Sequence, residues 1–144
     1  MLGSHAQKSV RIARIQAELT WSIRQQVMWP NKPLEYVQLP KDPEGMHYGF
    51  FLDMDLVAVV SLFIVNGEAQ FRKFATLKEQ QHQGYGTQLL SHIMMVARKN
   101  HIDRIWCNAR VEKVHFYQKF GLKKTKTTFS KGGHNYIIME RLFP

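Results

Sequence analysis

Two glycines one residue apart, Gly84 and Gly86, mark the point where the hydrophobic pattern of this chain changes period. Before them, Ala69 to Leu77 alternates Phe71, Lys73, Ala75 and Leu77 with Gln70, Arg72, Phe74 and Thr76, the two-residue repeat of a strand. After them, Leu89, Leu90, Ile93, Met94 and Ala97 share one side of a helix over Gly84 to Lys99. Arg98 and Lys99 fall in its last turn and Asn100 serves as its stop. A strand that passes through glycines straight into an amphipathic helix points to a crossover, and so to a parallel strand pair.

The flanking segments fill in the order. Ser9 to Gln16 reads as a first strand, and Ala17 to Trp29 as a helix with Leu19, Ile23, Val27 and Met28 at helical spacing, ended by Pro30. Four prolines between Pro30 and Gly45 predict a structured loop with one short helical turn. Strands are expected at Met46 to Leu52 and Leu56 to Val65, joined by the Asp53-Met54-Asp55 turn, and Asn66-Gly67 is a strong hairpin signal into Ala69 to Leu77. These three strands should form an antiparallel meander. Beyond the central helix come a strand at Ile102 to Ala109, a helix at Glu112 to Lys119 ending at Gly121, and strands at Leu122 to Phe129 and Asn135 to Leu142. The expected fold is α/β, a mixed central sheet flanked by helices in the order β-α-βββ-α-β-α-ββ.

With 144 residues, 44% of them hydrophobic and 22% charged, the chain suits one domain spanning 1–144. No run approaches the ~18 to 20 apolar residues of a membrane span, so no membrane partner is expected. Met1–His5 lacks the apolar core of a signal peptide, reads in part as foreign to the domain, and contributes no element to the expected fold. Cys107 is the single cysteine and sits in an apolar segment, so it reads as a buried strand thiol, and a cytoplasmic location follows. The seven histidines are dispersed, and no metal site is expected. A net charge of +9 favours an anionic ligand. The basic residues are scattered apart from Lys119, Lys123, Lys124 and Lys126, and no nucleic-acid module is present, so no nucleic-acid partner is expected.

The glycine turn is the chemical centre of the sequence. A helix start leaves backbone N–H groups unpaired and carries partial positive charge, which suits a phosphate. Glycine lets an anion approach because no Cβ intervenes. The dinucleotide fingerprint fails, since Leu89 stands where its third glycine would, and the P-loop Gly-Lys-Ser/Thr is missing. Taken alone, the two glycines fit a tight turn and close helix packing equally well.

Gln81-x-x-Gly84-x-Gly86 is similar to the Arg/Gln-x-x-Gly-x-Gly/Ala motif of the GCN5-related N-acetyltransferase (GNAT) superfamily. Asn108-Ala109-Arg110 and Phe116-Tyr117-Gln118-Lys119-Phe120-Gly121-Leu122 resemble its second signature, one helix and one strand further on. The similarity covers about Val57 to Arg141 and is nearest to the small bacterial ElaA and YjcF branch. The resemblance implies acetyl transfer from acetyl-CoA to a primary amine of a small molecule or protein, by direct attack in a ternary complex. It implies cofactor contacts from Ala75, Thr76 and Leu77, from the turn residues Gln81, His82, Gln83, Gly84, Tyr85, Gly86 and Thr87, and from Asn108, Arg110, Phe116 and Lys119. It casts Tyr117 as the general acid, a role that a phenol neutral at pH 7 can fill. It places the divergence of the next strand at Ile105 to Asn108, and the acceptor walls at Ile23 to Leu39, with Trp29 and Tyr36, and at Ser130 to Tyr136.

Arg110 departs from the family pattern, which often has asparagine seven residues before the tyrosine, and Lys113 stands where alanine is common. Arg110 is expected to reach the cofactor's phosphates instead. Glu79, Glu68 and His115 are the candidates for a general base, beside a water chain, and none stands out. Few carboxylates in the acceptor loops disfavour a polyamine. Two other readings stand behind this one: a CoA-binding regulatory protein without turnover, and a nucleic-acid-binding domain suggested by charge alone. A homodimer paired through an exposed final strand is a further expectation.

Overall fold

The computed structural model describes residues 8–144, so Met1–His5 lie outside it. Ten regular elements run in the order expected. They are β1 (Val10–Ile15), α1 (Glu18–Met28), β2 (Met46–Leu52), β3 (Asp55–Val65), β4 (Glu68–Thr76), α2 (Tyr85–Lys99), β5 (Arg104–Arg110), α3 (Val114–Gln118), β6 (Lys123–Lys131) and β7 (His134–Leu142). The proline-rich loop holds two 3-10 turns, Leu34–Val37 and Asp42–Glu44, where one was expected. The helix expected over Glu112 to Lys119 divides into a 3-10 turn, Val111–Lys113, and the short α3.

The strands form one seven-stranded sheet in the order β1-β2-β3-β4-β5-β7-β6. β4 and β5 are parallel, as the crossover through α2 requires, and pair over Glu68–Gln70 and Arg104–Trp106. Ile105 and Trp106, expected where the strands part, are still inside that ladder. The expectation of an exposed last strand is corrected. β7 pairs with β5 over seven residues and with β6 on its other side, so the sheet edges are β1 and β6. A hairpin return carries β7 inward, a long-range choice that no local pattern encodes. The outer strand β6 is exposed along most of its length, carries Lys123, Lys124, Lys126 and Lys131, and is bulged between Lys124 and Thr128. Lysines and a bulge both discourage another strand from adding to an edge.

The alternation expected along β4 is interrupted. Lys73 adopts φ 57, a left-handed conformation in the middle of the strand. Phe71 then meets Tyr117 of α3, with ring centroids 5.7 Å apart. Ala75 instead joins Ile23 and Val59 in a small apolar cluster with Ile15, Val27, Met28, Leu56 and Leu77 around it.

By its internal contacts the chain divides into two units. The first is the chain up to Ser61 with Lys73–Leu89, and the second is Leu62–Arg72 with Leu90–Pro144. In the second, Leu90, Ile93, Ala97, Ile105, Ala109, Leu122 and Met139 are buried and form its apolar interior.

The first unit is organised around a buried charge. Arg24 lies on the apolar side of α1 and is 0% exposed, while Asp42 of the proline-rich loop is 3% exposed. The Arg24 guanidinium donates from Nη1 to Asp42 Oδ2 at 2.8 Å and from Nη2 to Asp42 Oδ1 at 3.0 Å. It also donates to the Val37 carbonyl at 3.0 Å and to Ser61 Oγ at 2.9 Å. The Leu39 N–H and the Trp21 indole N–H both donate to Asp42 Oδ2, at 3.0 and 3.1 Å. His47 completes the set. Its Nε2 faces the Asp42 carbonyl at 2.8 Å, so it must donate there, which leaves Nδ1 to accept from Ser61 Oγ at 2.6 Å. One cation thus fixes α1, the loop, β2 and β3 to one another.

Removing one partner from a buried pair of this kind costs about 3–5 kcal/mol, because the other charge is left uncompensated. Urea unfolding of Arg24→Ala should show a loss of that size, and Arg24→Met with Asp42→Leu should recover most of it. A loss under ~1 kcal/mol for Arg24→Ala would show that the pair does not hold the loop. Burial alone would push the Asp42 carboxyl up, but hydrogen bonds from Arg24, Leu39 and Trp21, with the Arg24 charge, outweigh it and hold the carboxyl below its ordinary value. The folded value lies below the unfolded one of about 3.9. The stabilisation is therefore complete above about pH 4 and disappears as pH falls through the folded value. Asp42→Asn should remove that part of the acid limb of a stability–pH curve.

Candidate active site

The turn between β4 and α2 is shaped from both sides. The Leu77 N–H donates to the Val57 carbonyl at 2.9 Å, continuing the strand edge. A 3-10 turn, Lys78–Gln80, follows. The Gln81 amide then reaches back and donates to the Thr76 carbonyl at 3.0 Å, closing the turn on the end of β4. His82 and Gly84 take φ 65 and 84, which reverse the chain before the helix. A Cβ placed on Gly84 meets nothing within 4 Å, whereas one on Gly86 comes to 3.0 Å from Phe74 Cζ and 3.4 Å from Thr76 Oγ1. The two glycines do different work: Gly84 leaves the mouth of the turn open, and Gly86 lets α2 lie close against β4.

The first bond of α2 runs from the Gln88 N–H to the Gly84 carbonyl at 3.1 Å. The N–H groups of Tyr85, Gly86 and Thr87 therefore have no acceptor inside the helix. Tyr85 does not point into the mouth, because its ring stacks on Phe50 of β2 at 4.8 Å with an interplanar angle of 27°. Gln83, Gly84 and Thr87 are exposed. An open cradle of free donors at the positive end of a 15-residue helix fits a pyrophosphate.

In the second unit, Tyr117 of α3 lies among aromatic rings, with Phe71 at 5.7 Å and Phe116 at 5.3 Å. Among the described residues its hydroxyl has no hydrogen-bond partner, so the phenol is not tied to backbone as a purely packed tyrosine would be. Burial pushes its pKa up, the neighbouring Cys107 adds to the rise, and the charge of Arg110 offsets part of it. Cys107 is buried, and burial pushes its thiol up to about 12. Phe116 is half-buried and Lys119 exposed on the same short helix and its end.

Ala75, Thr76 and Leu77 and the turn residues Gln81 to Thr87 are thus neighbours in the first unit. Cys107, Phe116, Tyr117 and Lys119 belong to the second. Asn108 and Arg110 also lie on β5, but alternation along the strand puts their side chains on the face opposite that of Ile105, Cys107 and Ala109. The candidate bases are scattered. Glu68 is held by Arg104 at 3.2 Å, and Glu79 and His115 are exposed. Trp29 and Tyr36, expected in an acceptor wall, meet edge to face at 5.1 Å with Lys32 Nζ above the Tyr36 ring. The proximity of Cys107 to Tyr117 and the Arg24–Asp42 pair escape sequence reasoning. For the pair a signal exists: an arginine inside the apolar stripe of α1, between Ile23 and Val27, asks for a buried partner.

The profile of the acetyltransferase (GNAT) family matches residues 14–122, and the chain belongs to that family. It is 28% identical over 140 residues to the uncharacterized N-acetyltransferase YitI of Bacillus subtilis (strain 168), covering 90% of this chain and 94% of that protein. It superposes on Escherichia coli ElaA with a TM-score of 0.76 at 17% identity, over 92% of this chain and 99% of that one. It also superposes on a GNAT family acetyltransferase from Elizabethkingia anophelis with acetyl-CoA bound, with a TM-score of 0.74 at 16% identity, over 93% and 98% of the two chains. At these identities the structural likeness speaks to the fold, while the family profile speaks to the class of enzyme.

A thiol with a pKa near 12 is almost wholly protonated at pH 8, whereas an ordinary cysteine is partly ionised. Alkylation of Cys107 in the folded protein at pH 8 should be slower than in the unfolded chain by about 10³-fold. Comparable rates would mean that Cys107 is accessible and ionised.

Proposed function

We propose that this acetyltransferase moves an acetyl group from acetyl-CoA to a primary amine of a small molecule or a protein, by direct attack while both are bound. The observation that carries the reading is the mouth of the turn at Gly84, open and lined by the unpaired N–H groups of Tyr85, Gly86 and Thr87. The Elizabethkingia relative, which holds acetyl-CoA, supports the choice of cofactor.

Acetyl-CoA, when bound, supplies an activated acyl carbon and a thiol leaving group. The N–H groups of Gly84 to Thr87 take the pyrophosphate, aided by the positive end of α2. Gln81 contributes by fixing the turn to the Thr76 carbonyl, so its main task is shape. The backbone of Ala75, Thr76 and Leu77 holds the pantetheine arm, and Phe116 and Lys119 flank the rest. Tyr117 acts as the acid. Its raised pKa keeps it protonated throughout the working pH range, so a proton is always present for a departing thiolate. With Glu68 engaged by Arg104 and Glu79 and His115 exposed, water takes the amine's proton. We further read residues 1–144 as a single domain, because β3, β4 and α2 each run through both units. No helix among the described residues is long and apolar enough to cross a membrane. A buried reduced thiol and a CoA-dependent reaction support work in the cytoplasm.

Calorimetric titration with acetyl-CoA should show saturable one-to-one binding. Gly84→Glu puts a carboxylate at the mouth of the turn and should lower affinity by at least about tenfold through charge repulsion. Gly84→Ala carries the same backbone strain without the charge, and should lose far less. Equal losses, or no binding by the folded wild type, would remove the turn from the account. Tyr117→Phe should lower kcat by about 10²-fold or more with acetyl-CoA affinity kept. Unchanged turnover would return Tyr117 to a packing role, and binding without turnover of any amine would favour the regulatory reading.

A further inference from the structure

One face of the sheet in the second unit carries an ion imbalance. Along β5, Arg104, Trp106, Asn108 and Arg110 point away from the buried Ile105, Cys107 and Ala109. Their cross-strand partners on β7 are Leu142, Glu140, Ile138 and Tyr136, which face the same way, and β6 adds Phe129 beside Tyr136. At one end the charges are matched. Arg104 Nε meets Glu140 at 2.6 Å, its Nη1 meets Glu68 at 3.2 Å, and its guanidinium lies 5.4 Å from the Trp106 ring centre.

At the other end they are not. Arg110 is half-buried, and among the described residues it has no hydrogen bond and no ion pair. The nearest acid in sequence, Glu112, is exposed in the following 3-10 turn. Beside Arg110 stands an aromatic floor. Tyr136, its cross-strand neighbour, stacks on Phe129 at 5.1 Å with the rings within 12° of parallel. Phe129 is 37% exposed, so the floor is open to a ligand. The other titratable groups at this end, Lys131 and His134 on the hairpin, add no negative charge. A guanidinium without a counter-ion next to an open aromatic surface is complementary to an organic anion, above all a carboxylate, which matches its planar fork of donors. The position also bears on the reaction, since the charge of Arg110 is felt at the Tyr117 phenol.

We propose that Arg110 binds a carboxylate on the acetyl acceptor, with Tyr136 and Phe129 as the surface for an apolar or aromatic group beside it. The substrate class is then an amine that also bears a carboxylate, such as an amino acid, and the polyamines are excluded by charge. This rests on the acetyltransferase reading, and it moves Arg110 from the cofactor's phosphates to the acceptor.

The test uses matched amines and a binding readout independent of turnover. Protein saturated with desulfo-CoA is titrated calorimetrically with L-phenylalanine and phenethylamine, then with L-leucine and isopentylamine; each pair differs by one carboxylate. The carboxylate-bearing member should bind at least about tenfold tighter, the usual worth of one charge-assisted pair. In Arg110→Gln that advantage should shrink to within about twofold, and Arg110→Lys should restore part of it. Desulfo-CoA should still bind Arg110→Gln. No advantage for the carboxylate in the wild type, an advantage that survives Arg110→Gln, or a loss confined to desulfo-CoA binding would each overturn the proposal. Failure of the wild type to bind desulfo-CoA would instead overturn the enzyme reading beneath it.

Discussion

The bidentate pair between Arg24 and Asp42 sets much of what the first unit can be. A guanidinium with no exposed surface must find acceptors for its donors, and the chain provides a carboxylate, a carbonyl and a hydroxyl from three different segments. The loop from Pro30 to Gly45 carries four prolines and few apolar residues, so hydrophobic burial alone would hold it weakly. Asp42 compensates by opening a short 3-10 turn inside the protein, where Arg24 meets it. The same carboxylate then orders Leu39 and Trp21. Arg24 Nε remains without a partner, a sign that the geometry serves the loop first and the full satisfaction of the cation second. Such a pair adds less to net stability than well-packed apolar residues would, but it permits only one loop position.

The turn before α2 follows a different logic, in which donors are left free. A helix start is usually closed by a capping side chain. Here the motif's glutamine, Gln81, spends its amide on Thr76, and Tyr85 spends its ring on Phe50, so neither folds over the open end of α2. Those two contacts fix the backbone on each side of Gly84 without covering it. Rigid support around an unblocked mouth is what a site for a phosphate requires, since donors that need no rearrangement lose little entropy on binding.

Sequence made some of this legible and hid the rest for physical reasons. The turn could be read because glycines break a strand period and start a helical one, both local signals. Strand order up to β5 followed from a two-residue hairpin and a crossover, which leave little choice. The place of β7 between β5 and β6 could not be read, because a strand can pair with either neighbour and the choice is made by residues 26 to 38 positions apart. Lys73 gave no warning of its positive φ, since lysine has no preference for a left-handed backbone. Asp42 looked like one more loop acid until its partner, eighteen residues earlier in the chain, came beside it. The candidate residues of the turn and of α3 were named in advance by resemblance, but the face on which Arg110 lies needed the register of β5 against β7.

Tyr117 shows why that face matters. Burial among Phe71, Phe116 and Cys107 makes its phenol a weaker acid than a free tyrosine. In the acid role proposed for Tyr117, a weaker acid stays protonated more reliably, yet it gives up its proton less readily when the thiolate forms. A positive charge nearby relieves that second difficulty, because it stabilises the phenolate left behind, and Arg110 is the charge that does so. If an acceptor carboxylate neutralises Arg110, the relief is reduced while that acceptor is bound, and the phenol becomes harder to ionise. Binding of the acceptor and ease of proton transfer are then linked through one guanidinium. Arg110 is half-buried and not enclosed, so solvent would screen part of that loss.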